Sequence, residues 1–285
     1  MHVTPSPLPR RGQRAPSAPG ATVWAQGRQA LPLPLVDAHA HLYDAAFNAD
    51  LGDVVARAMA RGVQAVLTVS ETVDEAHRIL ALAERYPLIK PCAGLYPTIL
   101  DRGAAAEMLA FIRAHCDRLV AIGEVGLDYW KVQDEADREV QRDILAQQIA
   151  LARALELPLN VHSRSAGRHT IAWLREHGAQ RVLMHAFDGK ASAAKLGLEA
   201  GYYFSIPPSI VRSPQKQKLV QHVPLERLLL ESDSPVLGPD KEQRNEPQNV
   251  WLSCLHIAAI KGVPVEAVAH ITTANAQQLF PRAFA

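Results

Sequence analysis

Two histidines, His39 and His41, end the apolar run of "LPLVDAHAHLYD", Leu33 to Asp44. In an extended chain residues i and i+2 share a face, so both imidazoles would enter one space. Such a pair can hold a divalent cation. An H-x-H also occurs in many solvated turns, so alone it decides nothing. Further along, similar groups close other apolar runs: Glu124 and Asp128 in "GEVGLDYW", His162 in "NVHSRS", His185 in "MHAFDG", and Glu231 and Asp233 in "LLLESDSP". Each has a bland reading of its own: a hydrogen-bonded core histidine, a helix-capping glutamate, an aspartate seeding the turn before Pro235. What decides between the readings is whether one fold gathers them.

The elements that must position these residues form a rhythm. Short apolar runs at 33–37, 63–69, 88–95, 119–125, 157–161, 181–187, 201–206 and 227–232 are each followed by a longer segment of helical composition. The runs are rich in Val, Ile and Leu without strict alternation, as strands covered on both faces should be. Between them, Val140, Ile144, Leu151 and Leu155 fall in a narrow arc at helical period. Gly62 and Pro158 punctuate the transitions. Eight βα units in one domain predict an α/β fold of the single (β/α)8 TIM-barrel type. A doubly wound open sheet is the alternative, but no Gly-rich phosphate loop follows the first strand. The segment from Asn249 should supply the eighth helix and a short terminal pair around Pro264 to Phe280.

Barrel chemistry lies at the carboxyl ends of the strands, and the ligand-type residues close five of them. Imidazole nitrogen and carboxylate oxygen together suit Zn, Mn or Mg. Six candidate ligands, His39, His41, Glu124, His162, His185 and Asp233, favour two ions over one. Glu124 could place an oxygen on each ion, and two ions about 3.5–4 Å apart can hold a bridging hydroxide. Asp233 is expected to accept the attacking water's proton, and Asp128 and Glu231 to orient ligands or else to be solvent carboxylates. Arg164, Arg168, Arg212 and Arg244 lie in the same loops and could form a positive rim for phosphates. Lys216 and Lys218 read better as solvated surface.

The totals are compatible with this. The 285 residues are 48% hydrophobic and 21% charged, enough chain for one large core. A formal net charge of +1 excludes a general basic field, so any nucleic-acid contact must be local. Cys92, Cys116 and Cys254 are odd in number and widely spaced, and read as reduced core thiols. No apolar run approaches bilayer length, so no membrane span is expected. No obligate protein partner is evident. Residues 1–32 are rich in Pro and Arg and read as a disordered tail preceding the barrel of 33–285. A cytoplasmic or nuclear location follows, with mitochondrial import the lesser alternative because the prolines would break a targeting helix.

The marks "VDAHAHL", "AIGEVGLDY", "LNVHSRSAGR", "HAFDG", "ESDSP" and "RNEP" together resemble the TatD family of metal-dependent deoxyribonucleases, within the amidohydrolase-like barrels. The likeness covers Leu33 to Phe280, and several stretches are most similar to the family's third vertebrate paralogue group. It implies one metal held by His39, His41 and Asp233, a second held by His162 and His185, and Glu124 as the bridge. It also implies DNA phosphodiester hydrolysis, including 3′-exonuclease action. Two departures stand out. Tyr96 in "GLYP" replaces a histidine that the family often carries at the end of strand 3, where a phosphate contact is expected. Asp188 in "HAFDG" stands where many members have serine. The rival reading is a two-metal amidohydrolase acting on a C–N or ester bond of a small molecule.

Overall fold

The structure is a computed structural model that describes residues 32–285; the expected tail, apart from Pro32, lies outside the described residues. Strands and helices alternate: β1 Leu35–Ala40, α1 Leu51–Ala60, β2 Val63–Thr68, α2 Val73–Arg85, β3 Ile89–Ala93, α3 Arg102–Ala114, β4 Ala121–Gly126 and α4 Glu135–Ala154. The second half continues with β5 Leu159–His162, α5 Gly167–Glu176, β6 Val182–Met184, α6 Ala191–Glu199, β7 Tyr203–Ile206, α7 Pro214–His222, β8 Leu228–Leu230 and α8 Val250–Lys261. A last helix, α9, spans Val265–Leu279. The strands pair in parallel in chain order, β1 through β8, as the sequence predicts. The seam between β8 and β1 is closed beyond the strands proper. Asp233 N–H donates to the His39 carbonyl (2.9 Å) and His41 N–H to the Ser234 carbonyl (2.8 Å). Two segments carrying candidate ligands therefore also complete the barrel.

β1 runs further than its apolar run implies, because Asp37 and His39 are buried and do not end it. Asp37 Oδ1 accepts from the His39 and Ser232 amides and the His39 ring meets Asn160 and His41, so the strand continues through both residues. α9 is one helix rather than the expected pair: Pro264 opens it, and Val268, Ala269, Thr272, Ala276 and Leu279 repeat at helical spacing on its buried face. It seals the amino end of the barrel. Thr273 Oγ1 donates to the Pro34 carbonyl (2.9 Å) and Asn275 Nδ2 to the Leu228 carbonyl (2.8 Å), while Leu279 and Phe280 join the core of Val36, Leu67, Cys92 and Leu229. Cys92 and Cys254 are buried thiols as expected; Cys116 is only half-buried. Among the described residues no single helix is long and apolar enough to cross a membrane.

Candidate metal centre

The carboxyl ends of β1, β4, β5, β6 and β8 do converge. His39 and His41 present their Nε2 atoms to each other at 3.2 Å. Asp233 Oδ1 lies 3.6 Å from the first and 3.5 Å from the second. Opposite them, His162 Nδ1 and His185 Nε2 stand 3.4 Å apart. Glu124 divides its carboxylate between the two groups. Its Oε1 is 2.6 Å from His162 Nδ1 and 2.9 Å from His185 Nε2, and its Oε2 is 3.7 and 3.5 Å from His39 and His41 Nε2. All six side chains are buried.

Outer contacts set which ring nitrogen faces inward. Asn160 Nδ2 donates to the Ala38 carbonyl (2.8 Å), which turns its Oδ1 toward His39 Nδ1 at 2.8 Å. A neutral His39 therefore carries its proton on Nδ1 and aims a bare lone pair at His41. Asp128 Oδ2 likewise takes the Nε2 proton of His162 at 3.0 Å, leaving a lone pair on Nδ1 against the Glu124 oxygen. Lone pairs facing one another at these distances repel unless a cation or a proton lies between them. The donor set thus fits divalent cations, with imidazoles oriented by outer partners as metal-bound histidines usually are.

Asp128 and Glu231, left open by the sequence, both face the centre's histidines. Glu231 is fully buried, accepts from Ala186 N–H (2.8 Å) and Ser205 Oγ–H (2.6 Å), and sits 3.7 Å from His185 Nδ1. Asp233 itself has φ 54°, a left-handed conformation that non-glycine residues adopt only where their surroundings hold them there. Gly126 is at φ 149°, and a Cβ there would strike the His162 carbonyl, so only glycine lets β4 and β5 approach this closely.

The cleft above the centre encloses about 700 Å3 and is lined by Tyr43, Glu71, Tyr96, Arg164, Asp188, Arg212 and Lys216 as well as by ligand-type residues. A hollow of about 750 Å3 at the amino ends of the strands is lined by Arg153, Arg181 and Arg282, and it holds no histidine. Tyr96 turns its ring edge to His162, with centroids 5.2 Å apart. Asp188 Oδ2 accepts from Ser165 N–H (2.9 Å), tying the loop after β5 to the loop after β6.

Two expectations are corrected here. Lys216 is not solvated: α7 turns it inward, and its Nζ donates to the Ala186 and Phe187 carbonyls, clamping the segment that follows His185. Arg244 does not line the cleft, because both its terminal nitrogens bond Asp50 at 2.7 Å and one also bonds Glu246 at 2.9 Å. That network, with Arg57 on Glu246, fastens the loop after β8 to α1. Lys218, Arg168 and Arg212 are exposed.

Asn160 and Glu71 were missed. Asn160 is legible in hindsight as a polar residue two before His162, hence on its face of β5. Glu71 follows β2 and is fixed by the capping box of α2, in which Glu75 accepts from the Glu71 and Thr72 amides at 2.8 and 2.9 Å. No apolar-run boundary marked it.

In the metal-free protein the charges are mutually dependent. Burial raises the Glu124 carboxyl, yet the adjoining His185 charge and the hydrogen bond with His162 hold it well below the usual range. Burial opposes a charged His41, but the Asp233 hydrogen bond and the Glu124 charge prevail and push it up to about 9. Asp37 is different. Burial drives it up to about 8 despite hydrogen bonds from Ser232, and its Oδ2 has no partner. The native state therefore keeps this proton between about pH 4 and 8 while the unfolded chain has lost it, so its contribution to stability falls as pH rises through that window. Asp37→Asn should raise the stability of the metal-free protein by roughly 2–5 kcal/mol at pH 8 and by little at pH 4. Urea unfolding of both proteins across that range checks it; a pH-independent difference would mean Asp37 is ionised when folded.

Imidazoles and carboxylates gathered at the carboxyl end of a parallel barrel mark the class of metal-dependent hydrolases. Residues 36–281 match the family model described as TatD related DNase. The chain belongs to that family. It is 48% identical over 263 residues to the human protein named Deoxyribonuclease TATDN3, covering 87% of this chain and 95% of that one. It is 35% identical over 257 residues to the uncharacterized metal-dependent hydrolase YabD of Bacillus subtilis, covering 86% of this chain and 98% of that one. Among solved structures, the TatD homologue YJJV of Escherichia coli superposes with a TM-score of 0.81 at 26% identity, covering 87% of this chain and 98% of that one.

Proposed function

We propose that this hydrolase cleaves phosphodiester bonds of DNA at the 3′ end of a strand, with two divalent cations (Zn, Mg or Mn). One would be held by His39, His41 and Asp233, the other by His162 and His185. The observation that carries the reading is the divided carboxylate of Glu124, one oxygen toward each group. When bound, such ions lower the pKa of water and stabilise charge on the attacking and leaving oxygens. The residues do the rest. Asn160 and Asp128 orient His39 and His162, and Glu124 keeps the two groups in register. Asp233 takes the proton from the attacking water, and Tyr96 faces the cleft where a phosphate oxygen can meet its hydroxyl. Relatives' names support DNA as substrate.

The test is end-labelled single-stranded DNA with Mg or Mn, run beside a panel of amides and lactones. Stepwise loss of 3′ nucleotides is expected. Turnover of the small molecules alone would replace this reading with an amidohydrolase.

Tyr96 allows a second test. Its hydroxyl is a neutral donor, pushed further up by burial, whereas an imidazolium donor bonds an anion more strongly. Tyr96→Phe should lower kcat/KM on an oligonucleotide by roughly three- to tenfold, the worth of one hydrogen bond. Tyr96→His should restore it, most clearly below neutral pH. Equal values for all three proteins would make Tyr96 a packing residue.

A further inference from the structure

Trp130 is one of three large hydrophobic side chains left exposed among the described residues, at 50%. It follows β4 on the metal face. Its amide and that of Lys131 donate to Asp128 Oδ1 at 3.0 and 2.8 Å, while Asp128 Oδ2 holds His162. One carboxylate thus anchors both the centre and this turn. Above the indole lie two cations: the Arg164 guanidinium, 3.7 Å from the ring centroid, and the Lys131 ammonium, 4.7 Å from it. The Tyr129 amide, donating to the Arg164 carbonyl at 3.0 Å, ties the two loops together.

The pairing choice is informative. Arg57, Arg102, Arg118, Arg138, Arg142 and Arg244 all meet carboxylates. Arg85 and Arg227 also lie over rings, those of Tyr86 and Tyr203, but neither ring holds two cations. Among the described residues, no carboxylate lies within ion-pair distance of Arg164 or Lys131. Arg164 also lines the cleft. An exposed indole beside unneutralised cations at the mouth of a hydrolytic cleft is poorly explained by folding energetics. It matches what an unpaired nucleotide requires: a flat face for the base and positive charge for the phosphate.

We propose that Trp130, Arg164 and Lys131 form a platform for one unstacked base of the substrate strand and its phosphate, beside the bond that is cut. The inference rests on the nuclease reading and sharpens it. The base stacks on the Trp130–Arg164 pair, Lys131 meets the backbone, and duplex ends must fray before they engage.

The experiment moves one abasic site along a short single-stranded oligonucleotide. It reads dissociation constants by fluorescence anisotropy without added metal, and cleavage with Mg or Mn. In the unaltered protein, the abasic site should weaken binding about tenfold at one position only, within the range expected for losing one base–aromatic stack. Trp130→Ala should erase that positional difference, Trp130→Phe should keep part of it, and Arg164→Ala should reduce it. Because the indole is half exposed, an unchanged melting temperature is expected in each variant. If the unaltered protein cuts DNA and Trp130→Ala keeps the full positional difference, the platform is overturned and the nuclease reading stands. If the unaltered protein neither binds nor cuts any strand, the nuclease reading fails and the platform with it.

Discussion

Asp233→Asn should leave metal bound while hydrolysis falls by roughly 10²–10⁴, the usual range for losing acid–base help. The substitution is gentle. Asn tolerates the left-handed backbone that Asp233 adopts at φ 54°, and it keeps an oxygen facing His39 and His41. What it loses is the anion. Burial alone would raise the Asp233 carboxyl, but its hydrogen bond with His41 and the nearby imidazole charges hold it below the ordinary value. It is therefore ionised at neutral pH and can take a proton. Glu231 is the weaker candidate because both its oxygens already accept hydrogen bonds, from Ala186 N–H and Ser205 Oγ–H. Elemental analysis beside kcat/KM on a labelled oligonucleotide decides the matter. Full turnover with full metal content would move the proton to another group.

The barrel was legible because its strands are covered on both faces, so unbroken apolar runs stood out against helical segments. The convergent cluster of histidines and carboxylates was legible for the same reason: such a residue closing an apolar run is conspicuous. β1 extends past its apolar run of 33–37 to include His39, because the ring nitrogens of that residue find partners inside the barrel. Contacts distant in sequence were not legible at all. Lys216 is 30 residues from the Ala186 carbonyl it meets, and Arg244 is 194 from Asp50. No spacing rule links them. The terminal helix α9 is a single helix rather than a short pair, and its buried face packs across the barrel's amino end.

Glu124→Gln should weaken metal binding by roughly 10²–10⁴ at pH 8, taking about 3–5 kcal/mol for removal of one partner from a buried charge group. Gln preserves shape and one oxygen, so the effect isolates the charge between four imidazoles. The pH dependence separates this from simple misfolding. With Glu124 present, His41 titrates at about 9 and His185 well above its ordinary value, the Glu124 charge contributing to both. Metal must displace those protons, so affinity in the unaltered protein should strengthen as pH rises from 6 to 9. Without the Glu124 charge the imidazoles lose their protons at lower pH. The variant should bind metal more weakly at every pH, yet release fewer protons per ion and vary less steeply between pH 6 and 9. Calorimetry in two buffers of different ionisation enthalpy measures that proton count directly. Hydrolysis should fall together with occupancy, since both groups of ligands depend on the same carboxylate. An unchanged proton release with unchanged occupancy would remove Glu124 from between the ions and leave it as a hydrogen-bond partner of His162 and His185.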